Sequence, residues 1–195
     1  MVRFSVMTDH TATRQTRVVV LLGSLRTDSY NRRIAERLQA EAPPGVTVEL
    51  ATGLADLPFY NEELDGDDVP ATARDLRAHV ASANRVLAVT PEYNGTMPAV
   101  LNNAIDWLSR PYGVGALKGK PFAVVGATPT RFGGKWSHDD ARRSATVAGA
   151  DVVPDLVLSH STLDADVFED PEVFAAFLAA LVALVDHHPA ADVAA

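Results

Sequence analysis

Apolar residues recur along this chain in two alternating rhythms. Short apolar runs of strand length stand at Arg17–Leu22, Val46–Leu50, Arg85–Thr90, Pro121–Ala127 and Asp151–Leu158. Between them apolar residues fall at helical spacing, as in Ile34, Ala35, Leu38 and Ala42, or Val100, Leu101, Ala104, Ile105 and Leu108. These predict helices over Ser29–Ala42, Pro70–Ala83, Pro98–Leu108, Lys135–Ala148 and Pro171–His187. Pro43-Pro44-Gly45 stops the first, and Pro70 suits the first turn of the second. The last is apolar on most of its circumference, so it is deeply packed or covers a partner.

Strands that alternate with helices predict an α/β fold: a parallel sheet with helices on both faces. Five strands with right-handed crossovers fit the order 2-1-3-4-5. In that order the ligand crevice opens at the carboxyl ends of the first and third strands, where the order reverses. Residues 17–188 read as one domain, with a flexible extension over 1–16 and a frayed tail over 189–195.

Three loops at that end carry unusual residues. The first is Gly23-Ser24-Leu25-Arg26-Thr27-Asp28-Ser29-Tyr30-Asn31, between a strand and a helix. The free N–H groups and positive dipole of a helix start attract anions there. Ser24, Ser29 and Asn31 offer short donors, and Arg26 a guanidinium suited to phosphate. Equally, Ser29 or Asn31 could be a helix cap and Arg26 a solvated residue. Gly23 permits a sharp turn or a close ligand approach. The loop lacks the Gly-Lys-Ser/Thr of a P-loop and the glycines of a dinucleotide fingerprint.

The second loop, Pro91-Glu92-Tyr93-Asn94-Gly95, suits the edge and face of a flat ring. The third, Thr128-Pro129-Thr130-Arg131-Phe132-Gly133-Gly134, offers hydroxyls, a cation and two glycines. A ligand with a phosphate at one end and a flat polar ring at the other, such as FMN, would fill the three together.

Composition narrows the chemistry. The net charge of −8 argues against nucleic-acid or anionic-membrane partners. No cysteine is present, which excludes disulfides, thiolate metal sites and a cysteine nucleophile. The chain reads as cytoplasmic, without a signal peptide or membrane span. The acids from Glu62 to Asp68 read as a solvated loop rather than a metal site, and His79 as an ordinary helix residue. His138 has no evident partner, and His10, His160, His187 and His188 read as surface residues.

The same loops carry a family resemblance. The chain resembles the NADPH-dependent FMN reductases, flavodoxin-like enzymes that include quinone, azo-dye and chromate reductases. The matching segments are Gly23-Ser24-Leu25-Arg26 with Ser29 and Asn31; Pro91-Glu92-Tyr93-Asn94-Gly95 through Pro98, Asn103-Ala104-Ile105-Asp106-Trp107 and Ser109-Arg110-Pro111; and Gly119-Lys120-Pro121 through Gly134. The middle block is the most specific.

The resemblance implies that Ser24, Arg26, Ser29 and Asn31 bind the FMN phosphate. Pro91, Glu92, Tyr93, Asn94 and Gly95 would line the ring and ribityl chain. The loop with Thr128, Thr130 and Arg131 would close the other side. NADPH or NADH would deliver hydride in a ping-pong cycle, with Arg131 a candidate for its phosphates or a plain surface residue. The acceptor would be a small molecule: a quinone, azo dye, free flavin or metal oxyanion. No catalytic side chain and no metal is required, since the flavin carries the chemistry. The helix of Trp107 would pack in a homodimer or homotetramer interface, although Asp106 and Trp107 also suit internal packing. Two departures from the family pattern stand out: the bulkier Thr130 in the third loop, and Asn102 where a Lys is common.

Three other classes fit less well. A flavodoxin-type electron carrier would bind FMN without NAD(P)H activity and does not explain the Pro91–Pro111 block. A receiver domain needs an Asp where Thr90-Pro91 stands, and a small phosphatase needs a cysteine.

Overall fold

In the computed structural model, which describes residues 15–189, five strands alternate with five helices. They are β1 (Thr16–Leu22), α1 (Tyr30–Ala40), β2 (Val46–Leu50), α2 (Ala71–Ser82), β3 (Arg85–Val89), α3 (Ala99–Leu108), β4 (Pro121–Thr128), α4 (Lys135–Val147), β5 (Asp151–Ser161) and α5 (Pro171–Asp186). All strand pairs are parallel, in the order β2-β1-β3-β4-β5, the flavodoxin-like arrangement expected. Most of the N-terminal extension and the tail, and His10 with them, lies outside the described residues. Thr16 belongs to β1, because its N–H donates to Gly45 C=O at 2.8 Å.

The strands are apolar without alternation because both sheet faces are covered. Val19 and Leu21 face α2, α3 and α4 with Leu76, Leu101, Trp107 and Phe122. Val18, Val20 and Leu22 face α1 and α5 with Ile34, Leu38, Phe177 and Leu181. Of the two readings of α5, internal packing holds: Phe174, Phe177, Leu181 and Leu184 are buried on this chain's own sheet.

One feature departs from expectation, and the internal-packing reading of Trp107 holds. β5 runs three residues further, through Ser159-His160-Ser161, pairing with Gly126, Ala127 and Thr128. Its middle bulges at Pro154, which has no N–H to give a ladder. Arg142 satisfies the freed carbonyls, donating to Pro154 at 2.8 Å and Leu156 at 2.9 Å. Trp107 is fully buried, its indole N–H donating to Pro58 C=O at 2.8 Å and its ring set edge-on to Tyr60. It is therefore a core residue and not available to a subunit interface.

Candidate functional site

The loops after β1, β3 and β4 leave the same edge of three adjacent strands. Their floor is built without room to spare. A Cβ on Gly23 would lie 2.1 Å from Thr90 Oγ1, and one on Gly126 2.0 Å from the Thr90 carbonyl oxygen. Gly23 is thus required by the Thr90 side chain packed against it rather than by an unusual φ. Thr90 is fully buried, and its N–H continues the ladder to Val125 C=O at 3.0 Å.

Asn31, in the first turn of α1, is buried and spans to β4. Its amide donates to Ala127 C=O at 2.8 Å and accepts from Ala127 N–H at 2.9 Å. These bonds clamp α1 to the sheet and commit one of the two Nδ2 hydrogens.

Ser29 is the N-cap of α1 but makes no side-chain cap bond, and the first turn holds no acid. The helix start therefore keeps free N–H groups and a free hydroxyl. Ser24 is buried beside it and Arg26 is exposed. Arg32, one residue past the clamp, was not foreseen. With Ser24, Leu25 and Leu50–Ala55 of the segment after β2 it lines a hollow of about 250 Å³ on the β2 side of β1; its outer nitrogen lies 3.9 Å from Glu36, and its buried Nε has no hydrogen-bond partner.

The loop after β3 turns on Asn94 and Gly95, whose φ angles of 53° and 75° are both positive. Tyr93 and Thr96 exchange backbone hydrogen bonds of 3.1 Å across this turn, as Asn-Gly does in tight hairpins. Pro91 is buried, while Tyr93, Asn94 and Gly95 are exposed.

This loop is fastened to α4. The Glu92 carboxylate accepts from Trp136 N–H at 3.0 Å and Ser137 N–H at 3.3 Å, capping a helix whose own N-cap is Gly134. Ser137 Oγ donates to Pro91 C=O at 2.8 Å, and Thr96 Oγ1 to Asp140 at 2.6 Å. Glu92 is thus a latch between loops.

His138 completes the junction. It is 1 % exposed, with Nε2 3.1 Å from Thr90 C=O and Nδ1 2.6 Å from Ser159 Oγ. A carbonyl only accepts, so Nε2 carries the proton and Nδ1 accepts from Ser159. Burial pushes its pKa below the ordinary value, which keeps the ring neutral.

The loop after β4 holds buried Thr128, whose hydroxyl bonds that of Thr130 at 3.0 Å. This turns Thr130 back toward its own strand. Arg131 is exposed, its guanidinium 4.5 Å from the Phe132 ring centre. Gly133 and Gly134 both have positive φ, and a Cβ on Gly133 would lie 2.4 Å from Ser159 C=O.

The largest described cavity, about 570 Å³, is elsewhere, between the carboxyl ends of α3 and α4. Size would favour it. The free helix start, the unpartnered Arg32 Nε and the convergence of three loops favour the crevice.

The sequence model of the NADPH-dependent FMN reductase family matches residues 16–164, most of the chain. The chain belongs to that family. It is an NAD(P)H-dependent flavin oxidoreductase with FMN as its cofactor. It is 42 % identical over 127 residues to a quinone reductase of Pseudomonas putida, covering 65 % of this chain and 68 % of the relative. It is 36 % identical over 156 residues to a 2-hydroxy-1,4-benzoquinone reductase of a Burkholderia species, covering 77 % and 83 %. Among solved structures it is similar to FerB, a flavoenzyme NAD(P)H:(acceptor) oxidoreductase from Paracoccus denitrificans, with a TM-score of 0.76 and 30 % identity over 88 % of this chain and 96 % of that one.

An FMN reductase needs an anion seat beside a flat, water-poor floor, and the crevice offers both. The unpartnered Arg32 Nε and the uncapped helix start suit a phosphate dianion. Among the described residues no group of three His, Asp or Glu could hold a metal, and no helix is long and apolar enough to cross a membrane.

Proposed function

We propose that this FMN reductase passes the electrons of NAD(P)H to a quinone at the crevice above β1, β3 and β4. The free start of α1, with Ser29 uncommitted and Arg32 Nε unpartnered, carries the reading. Ser24, Arg26, Ser29 and Arg32 hold the FMN phosphate together with the backbone N–H groups of the first turn. Asn31 keeps that turn against β4.

Pro91, Tyr93, Asn94 and Gly95 line the ring and ribityl chain, with Glu92 fixing their position through α4. Thr128 and Thr130 close the other side. FMN, when bound, supplies a ring that takes up hydride and returns the electrons. The chain's task is to bind, orient and exclude water; backbone donors fixed in the loops favour charge on the reduced cofactor.

The net reaction is quinone + NAD(P)H + H⁺ → hydroquinone + NAD(P)⁺. The names of the relatives support a quinone over an azo dye, free flavin or metal oxyanion. We assign the protein to the cytoplasm, as one domain over residues 17–188. We also infer a homodimer through α3 and α4, whose ends present exposed Tyr112, Val114 and Val147; a homotetramer would pair two such dimers.

The test is a visible spectrum before and after anaerobic NADPH. A bound-flavin spectrum that bleaches, and recovers with quinone, supports the reading. A yellow protein that stays yellow points to an electron carrier, and one that takes up no FMN overturns it.

A further inference from the structure

Beside the crevice stands a group of side chains that the binding of FMN leaves unused. Phe132 and Trp136 are 42 % and 49 % exposed, yet their rings are held 4.9 Å apart at 41°. Exposed aromatics held this way form a ready stacking surface. The main chain that carries the pair is fixed: Trp136 donates its backbone N–H to Glu92, and Gly133 and Gly134 shape the turn that carries Phe132. The shelf also adjoins the crevice: a Cβ on Gly95 would lie 3.7 Å from the Trp136 ring. The Arg131 guanidinium lies 4.5 Å from the Phe132 ring centre, and among the described residues it pairs with no carboxylate.

We propose that Phe132, Trp136 and Arg131 form an acceptor subsite selective for flat aromatic quinones that carry a negative charge, such as deprotonated hydroxyquinones. This rests on the quinone-reducing reading of the crevice. The rings stack on one edge of the acceptor, and the guanidinium pairs with its oxyanion by charge-assisted hydrogen bonds. The anion matters because the protein is acidic overall, at −8. An anionic acceptor is repelled by the surface at large and is favoured only where a free cation waits. The redox step is unchanged: the quinone takes up the two electrons and two protons that make it a hydroquinone, from NAD(P)H and solvent.

The test compares anionic hydroxynaphthoquinone with neutral methylnaphthoquinone on FMN-loaded protein at neutral pH. In a ping-pong cycle kcat/KM for the acceptor does not depend on the donor. Arg131→Gln is expected to lower kcat/KM for the hydroxyquinone about 10-fold or more and to leave the neutral quinone within about twofold. Trp136→Ala is expected to lower both about fivefold, with Trp136→Phe restoring most of the loss.

Binding is read separately by fluorescence. Of the two tryptophans, Trp107 is fully buried and Trp136 is half-exposed. Hydroxynaphthoquinone is expected to quench the oxidised, FMN-loaded protein saturably, at concentrations about 10-fold higher in Arg131→Gln. The saturable quench should vanish in Trp136→Phe. Equal effects of Arg131→Gln on both quinones, or a quench that survives Trp136→Phe, would overturn the subsite. If the protein binds FMN and is bleached by NADPH, that failure touches the subsite alone. If it takes up no FMN, the reading of the crevice has failed first.

Discussion

The two ends of the crevice are built in opposite ways. Where the loop after β3 meets α4, polar groups are matched to one another: Glu92 with two helix N–H groups, Ser137 with Pro91, and His138 with both Thr90 and Ser159. At the start of α1 they are not. Ser29 caps nothing, Arg32 Nε has no partner, and Arg26 is solvated. The contrast separates roles. A matched junction makes a rigid floor whose geometry does not depend on a ligand. Unmatched donors make a seat whose bonds are completed by an anion.

Substitutions that break the floor should act on stability, and those at the seat on cofactor affinity. The largest effect is expected from Gly126→Ala, because the added methyl would meet backbone at Thr90. We expect a loss of about 3 kcal/mol or more, a fall of about 6–12 °C in Tm by calorimetry. Next comes Arg32→Gln, expected to weaken FMN binding about 10- to 100-fold in a fluorescence titration with Tm of the FMN-free protein unchanged. Ser29→Ala sharpens the point. An ordinary cap loses about 1 kcal/mol on such a change, whereas here stability should hold and FMN affinity fall.

His138 links the floor to pH. Its folded pKa lies below the ordinary 6.5, so the unfolded chain binds the extra proton. Its contribution is full above about 6.5 and is lost as pH falls below that value, at up to about 1.4 kcal/mol per pH unit. The hydrogen bond to the Thr90 carbonyl opposes the shift, as do Glu92 and Asp139, and Arg142 adds to it. Denaturation midpoints followed from pH 7.5 to 5.5 should decline more steeply in the native protein than in His138→Gln. The smallest effect is that of Glu92→Ala, about 1 kcal/mol from the lost cap on α4, visible as a drop of about 2–4 °C.

The sheet was legible because β1, β3 and β4 are buried on both faces and read as unbroken apolar runs. The end of β5 was not, since Ser159-His160-Ser161 is polar and earns its place by pairing with β4 and holding His138. Composition also announced the three loops. It could not say that Asn31 reaches a partner 96 residues away, or that His138 finds its partners 48 and 21 residues away. Such bonds exist only once the strands are ordered. Arg32 was hidden for a related reason: its significance lies in a bond it does not make. Trp107 suited internal packing by its place in the helix, and it is core.

The most direct measurement of the difference between the two ends is a side-by-side titration with FMN and riboflavin, which share the ring and differ by the phosphate. If the start of α1 is an anion seat, FMN binds at least about 100-fold more tightly, and Arg32→Gln narrows the gap by weakening FMN alone. Equal affinity for the two flavins, or an equal loss for both in Arg32→Gln, would contradict the account.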